Sequence, residues 1–319
     1  MMIKLVNRNN QRGVALVITL LILTILIVVG LEINRSIRVE ASLAGNFRDL
    51  TQAGYIAKSG VEIARALLQE DDQAYDALNE RWAQFEMLSL FSSQLFPEGY
   101  FAGKISDENA KLNPNFLIDA YGMVNLKKRN QLERLIALLG HDPKLMDAIL
   151  DWLDPDDQKR PMGAEREYYE LEKRIKGPAN GPLANLQEIT LIKGMDKKIF
   201  YGSEEKEGLG KYLTIYSDGK ININTAPSVV LMSLSPKIDQ ALARTLIEHR
   251  QEKPFKKIED LRSVPGWEEI YAEISSEITV RSNYFAVNIL GHFREAKAII
   301  QAVIKREGKK TKILLWKEG

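Results

Sequence analysis

Residues 14–31 form an uninterrupted run of eighteen residues without a charge, and the leader before it carries only Lys4, Arg8 and Arg12. At about 1.5 Å per residue, a helix of that length approaches the ~30 Å hydrocarbon core of a bilayer. Three cations precede the run and none follows it until Arg35, which predicts a cytoplasmic N-terminus. The remainder of the chain then lies across the inner membrane. Three readings of this segment compete: a secretory signal peptide, a plain uncleaved anchor, and an anchor whose short leader is cut away. A signal peptide has a shorter apolar core followed by a small-residue cleavage site. Here the run continues into a helical pattern, Ile33, Ile37, Leu43 and Phe47, that a discarded peptide does not need.

The pattern extends from Leu31 to about Ala66. Ala41, Leu43, Ala44, Phe47, Leu50, Ala53, Ile56, Ala57, Val61, Ile63 and Ala64 recur at helical spacing, opposite Arg35, Arg38, Glu40, Arg48, Lys58 and Glu62. Gly45, Gly54 and Gly60 read as close-packing or kink positions. An aromatic segment follows, with Trp82, Phe85, Phe91, Phe96, Tyr100 and Phe101 expected in a core and a strand leading to Ile105. With 44 basic and 43 acidic residues the chain is nearly neutral, unlike most nucleic-acid-binding proteins, and 45% hydrophobic residues exclude wholesale disorder. There is no cysteine, so neither a disulfide nor a thiolate site is available. His141, His249 and His292 are scattered, and no Ser/His/Asp set, P-loop or paired-acid signature stands out, which points away from an enzyme.

The middle of the chain repeats itself. Asp107-Glu108-Asn109-Ala110-Lys111-Leu112-Asn113-Pro114-Asn115 matches Ser217-Asp218-Gly219-Lys220-Ile221-Asn222-Ile223-Asn224. Each is an acidic turn followed by Lys-x-Asn-x-Asn, then by apolar helical stretches, then by a helix ending in a glycine turn at Gly194 or Gly266. Two small helical modules are predicted, over about 107–215 and 216–280. The asparagines are expected to hydrogen-bond turns and cap helices. After them, 278–280, 284–289, 296–304 and 313–316 read as strands of a short antiparallel sheet, with turns at Gly291 and at 308–310.

The sequence offers two sites for chemistry. Asp151, Asp154, Asp156, Asp157 and Glu165 crowd one loop, and clustered carboxylates suit a hard cation such as calcium. Pro155 and the missing glycine exclude an EF-hand, and a solvated loop in which Asp154 or Asp156 caps a helix is the alternative. The second module also resembles helix-hairpin-helix DNA-binding units, through 222–226, Pro254-Phe255 and 258–261. Its first hairpin, 234–238, has no glycine, and Pro236 removes a donor, so no nucleic acid is expected.

At Arg12-Gly13-Val14 the chain resembles type IV pilins and type II secretion pseudopilins, whose leader peptidase cuts after such a glycine and leaves the helix in place. Val14 is then the first mature residue, although phenylalanine or methionine is usual there, and methylation of the new terminus is implied. Ile18 stands where major subunits carry glutamate. A buried acid there needs a partner, which in the family model is the preceding subunit's amine, and a subunit at the filament tip has no predecessor. Together with Asp107-Glu108-Asn109, 113–115, 151–156, 163–165, 221–227 and 284–287, the chain resembles the minor pseudopilin K family of type II secretion.

That resemblance implies an α+β fold: a pilin-like long N-terminal helix packed on a small antiparallel sheet, with a large inserted all-α domain of two helix-hairpin-helix/SAM-like modules. The expected segments are a basic leader 1–13, the membrane half of the helix 14–33, pilin-like helix and first strand 34–106, the insert 107–280, and closing strands 281–319. It further implies a non-enzymatic tip subunit, a main domain in the periplasm, and partners among other minor pseudopilins, the inner-membrane assembly platform and a prepilin peptidase. Calcium at Asp154, Asp156, Asp157 and Glu165, and no organic cofactor, complete the expectation. The alternatives are a minor pilin of a type IV pilus and a membrane-anchored DNA receptor.

Overall fold

The computed structural model describes residues 9–173 and 177–319. The apolar run and its amphipathic continuation form one helix, α1 (Asn9–Glu70), of 62 residues, on the order of 90 Å long. Its first half is exposed along every face, with Leu16, Ile25 and Leu31 all more than half accessible, and the exposure continues to Phe47. Further along, Ala53, Ile56, Ala57, Val61, Ala64 and Leu68 are buried, at the three- and four-residue spacing that puts them on one stripe.

After α1 come α2 (Phe85–Ser89), a 3-10 turn (Leu90–Gln94) and β1 (Gly99–Asp107). The next stretch holds α3 (Leu126–Leu138), α4 (Leu145–Leu153), the single turn α5 (Arg166–Tyr168), α6 (Lys197–Tyr201), β2 (Ile221–Asn222), α7 (Ser228–Leu234), α8 (Gln240–Glu252), α9 (Glu268–Ile274) and β3 (Ile278–Thr279). The chain closes with β4 (Tyr284–Phe293), β5 (Ala296–Glu307) and β6 (Lys310–Glu318). The main sheet has the order β1-β4-β5-β6 and is antiparallel throughout. The helical stretch is therefore an insertion between two neighbouring strands, β1 and β4. The outer edge of β1 is covered by the 3-10 turn, where the Ser92 hydroxyl donates to Phe101 O (2.7 Å) and accepts from Phe101 N (2.9 Å). Paired in this way, the strand offers no free template there.

Alternate strand residues face α1: Phe101 and Ile105, Val287 and Ile289, Ile300, Ala302 and Ile304, with Trp82 and Phe85 at the margin. Gly291 lies inside β4, not in the turn expected for it, because α1 passes against it: a Cβ there would stand 2.1 Å from Ala53 O. A Cβ at Gly60 would meet the sheet likewise, 2.8 Å from Ile289 Cγ2, whereas Gly45 and Gly54 face open space and are not close-packing positions. Two further expectations fail. The strand at 278–280 pairs in parallel with β2 inside the insert and is not part of the main sheet. Of the aromatics expected in a core, Phe91 is 64% exposed, carried on the outer side of a turn whose inner side is filled by Ser89 and Ser92, and Tyr100 is 39% exposed, on the outer face of β1 beside His292.

The repeat is visible in the hydrogen bonds. Asn113 Oδ1 accepts from Asn115 N (3.0 Å), and Asn222 Oδ1 accepts from Asn224 N (3.0 Å). The second asparagine of each pair then clamps a distant backbone in both directions. Asn115 bonds N and O of Leu183 (2.8 and 3.0 Å), and Asn224 bonds N and O of Phe255 (both 2.9 Å). Leu183 and Phe255 each precede a 3-10 helix (Leu186–Leu191, Ile258–Ser263) by three residues. Each of those helices is followed by a positive-φ glycine, Gly194 or Gly266. Each motif also opens on a parallel pairing with the end of its module, Leu112 with Leu213 and Ile221 with Ile278.

The two modules share one apolar core and the α1–sheet unit has another. Between them lies a buried polar joint. Arg306 donates to both Asp76 oxygens, to Ser282 O (2.8 Å) and to Asp71 (3.0 Å). Asp107 Oδ2 accepts from Asn222 (3.0 Å), Ser282 Oγ (2.6 Å) and Thr225, while Asn222 also reaches Asp76 O (3.0 Å). Asp107 is 5% exposed, and burial pushes its carboxyl up to about 6. Removing one member of such a buried pair strands the other, at a cost of about 3–5 kcal/mol. Arg306→Ala is expected to lower unfolding free energy by that amount in denaturant titrations of the detergent-solubilised chain. A loss under about 1 kcal/mol, the scale of a surface pair, would show that the joint does not hold the two cores together.

Candidate functional site

Gly13 and Val14 lie within α1, exposed and without a break in the helix, so the junction is accessible on all sides. Ile18 is 49% exposed, one turn further on. Lys4 and Arg8 lie outside the described residues. Among the described residues, one helix, its apolar span counted from Gly13, is long and apolar enough to cross a bilayer.

The acidic loop begins at the end of α4. Asp151 is fully buried on the last turn, and Asp154 is the residue that ends the helix. Arg160 bridges them, donating to Asp151 Oδ1 (2.6 Å) and to Asp154 Oδ2. Its backbone N–H bonds Asp151 as well (3.1 Å). Gly163 is required beside them, since a Cβ there would lie 1.8 Å from Asp151 Oδ2. Asp156 and Asp157 are exposed, and Asp156 makes a local turn to Gln158 N (2.7 Å). Glu165 is 8% exposed and both its carboxylate oxygens lack a partner, as do Asp154 Oδ1 and Asn180 Oδ1. Burial, followed by the charges of Asp151 and Asp154, pushes Glu165 up to about 7. Buried oxygens left without donors are what a hard cation takes up, so the donor chemistry of this loop fits calcium, with Asn180 as an addition the sequence did not suggest.

Asp154, Asp156, Asp157 and Glu165 do not draw their ligand atoms into one tight group. Among the described residues that geometry belongs to Asp71, Asp76 and Glu80, whose ligand atoms lie within 4.8 Å of one another. Those three are already engaged: Arg306 holds the aspartates, and Glu80 Oε2 accepts from Ala77 N (2.8 Å) and Trp82 Nε1 (3.0 Å). The group is part of the joint between the cores. Nothing local in the sequence marked it, because Arg306 lies 230 positions from Asp76.

In the second module the helix-hairpin-helix resemblance does not extend to free backbone donors. Asp239 caps α8, accepting from Leu242 N (2.8 Å). Asp260 Oδ2 accepts from the amides of Lys256 and Lys257 (both 3.0 Å). Those three amides are spent inside the protein and are not available to a phosphate.

Comparison with known proteins matches residues 110–203 and 221–281 to two models described as type II secretion system protein K, and residues 12–62 to the PilX N-terminal model. The chain belongs to the protein K family of type II secretion. A protein K of Klebsiella pneumoniae is 27% identical over 98% of this chain and 94% of its own length. One from Pseudomonas aeruginosa is 27% identical over 79% and 76%. The fold matches a chain in the crystal structure of the GspK-GspI-GspJ complex from enterotoxigenic Escherichia coli, with a TM-score of 0.67, 21% identity, and coverage of 88% of this chain and 99% of that one. The chain is thus a minor pseudopilin of type II secretion. Its two protein K matches fall on the two repeats, and its pilin-like match falls on α1, which fits a single-pass anchor.

Glu165 yields a pH test. Its folded pKa near 7 stands above the ordinary value of about 4.3. Its contribution to stability is therefore full below about pH 4 and is lost as pH rises through 7. Without divalent cations, Glu165→Gln is expected to raise Tm at pH 8 and leave it unchanged at pH 4. Equal Tm values at both pH values would mean that this carboxyl is not strained in the metal-free protein.

Proposed function

We propose that the chain is a non-enzymatic tip subunit of the pseudopilus, which starts filament assembly together with other minor pseudopilins. Ile18 carries this reading. An aliphatic side chain at the fifth mature position asks for no amine from a subunit ahead of it, and a first subunit has none. The insert between β1 and β4 supports it, since so large a body beyond the end of α1 suits the terminus of a filament better than its repeating shaft. GspI and GspJ accompany protein K in the Escherichia coli complex, and their counterparts are the expected partners here.

In this reading a prepilin peptidase cuts between Gly13 and Val14, the new terminus is methylated, and the assembly platform of the inner membrane receives the helix. The basic leader stays cytoplasmic and the α1–sheet unit and insert stand in the periplasm. Asp154 and Glu165, with Asp156, Asp157 and Asn180 on the same loop region, are the residues that would hold calcium. Bound there, the ion would supply positive charge to a cluster that Arg160 only partly neutralises.

Intact mass and N-terminal sequencing, with and without a prepilin peptidase, test the pathway. The mature chain is expected to begin at Val14, and Gly13→Leu to block the cut; a chain that starts at Met1 under both conditions would refute processing. Deletion is expected to abolish secretion of folded cargo. Ile18→Glu is expected to reduce filament initiation, because a lone acid in the membrane costs about 2.5–3.5 kcal/mol. Normal initiation by Ile18→Glu would remove the main support for the tip position. Calcium added at pH 8 is expected to raise the Tm of the natural chain and not that of Glu165→Gln. An equal rise in both would place any calcium elsewhere.

A further inference from the structure

We propose that the cleft between the C-terminal end of α8 and the 3-10 helix Ile258–Ser263 is a docking site for an acidic, extended segment of a partner protein. The cleft has a volume of 740 Å³, and Lys253, Lys256, Lys257 and Arg262 line it together with His249 and Phe255. The three lysines are exposed and, among the described residues, none forms an ion pair. Two acids share the lining, Glu259 and Asp260, and Asp260 is committed to the amides of Lys256 and Lys257. Next to His249 on α8 is Arg250, 8% exposed and held by carbonyls alone, at 2.6 Å from Ile223 O and 2.8 Å from Ala226 O. Its charge is fixed in place with no acid to cancel it. Like charges gathered without counter-ions repel one another, and an anionic partner relieves that repulsion.

The chemistry favours a peptide over a nucleic acid. Phosphate recognition on such modules relies on free backbone amides and on arginine forks. Here the amides of Lys256 and Lys257 are occupied, and the one arginine of the lining lies over the Tyr271 ring at 4.3 Å. Lysines on long stems reach carboxylates as point charges. The remaining wall is Ser263, Pro254 and the ring of His249, which is stacked on the buried Phe255 at 5.1 Å and 17°; the proline and imidazole faces suit an aromatic or aliphatic residue set between acids. The cleft is far larger than one phosphate. This inference does not depend on the tip position of the subunit.

Fluorescence anisotropy of the full chain in detergent tests it. The probe is a fluorescein-labelled peptide of glutamates around one central tyrosine, with a short DNA duplex as the rival ligand. Saturable, salt-sensitive binding of the peptide is expected, weakened about tenfold or more by Lys256→Glu with Lys257→Glu and retained by arginine at both positions. Lys309→Glu with Lys310→Glu, two exposed lysines on the β5–β6 turn, is expected to leave binding unchanged. No peptide binding, equal weakening by both charge reversals, or tighter binding of the duplex would each overturn the proposal.

Discussion

The pairing of Arg306 with Asp76, and of Asn222 with Asp107, occupies the place where the chain leaves the sheet for the insert and where it comes back. Asp107 ends β1, Ser282 precedes β4 and donates to Asp107, and Arg306 on β5 donates to Ser282 O. A long insertion in a small sheet could swing on its two connections. Here both connections are drawn into one buried network that also binds the loop after α1. The two apolar cores are separate, so this joint sets their relative position. Apolar packing alone tolerates some sliding, whereas hydrogen bonds to buried charges do so only by leaving a charge unpaired.

Most of the architecture was legible because it follows from periodicity. The long helix, the strand-rich tail and the duplicated Lys-x-Asn-x-Asn motif all declare themselves within a few residues. The repeat is the clearest case: the same two asparagines recur because the same backbone clamp recurs, at Leu183 and at Phe255. What failed to show was anything set by a distant neighbour. Gly291 resembled a turn because a glycine between apolar runs often is one, and the helix that needs its missing side chain lies more than two hundred residues upstream. The strand at 278–280 was visible as a strand, but its partner was not. Phe91 was assigned to a core by its chemistry, while the side of its turn that faces inward was fixed by two serines bonding the edge of β1.

The acidic loop was read in part. Its crowding of carboxylates was plain, and Arg160 stood in view six residues beyond Asp154. Their pairing depends on the loop folding back under Gly163, which no spacing rule reports. The result is a division of labour among like residues. Asp151 and Asp154 share a guanidinium, Asp156 shapes a turn, and Glu165 is left buried with open oxygens. The basic cleft of the second module is the opposite case, with cations crowded and few acids near. The two modules, alike in backbone, thus carry local clusters of opposite sign, an acidic loop on the first and a basic cleft on the second.

The contacts at Gly291 and Gly60 have a mechanical consequence. At Ala53 the helix backbone lies directly on Gly291, and about two turns later Gly60 lets the side chains of Ile289 and Phe101 press against the helix. A rod seated on its support at two such points can neither roll about its own axis nor slip along it. Push or twist applied to the membrane half is carried to the sheet at these contacts, and through the Arg306 joint to the insert. The molecule transmits force and torque as one keyed shaft, and its head moves only when its root does.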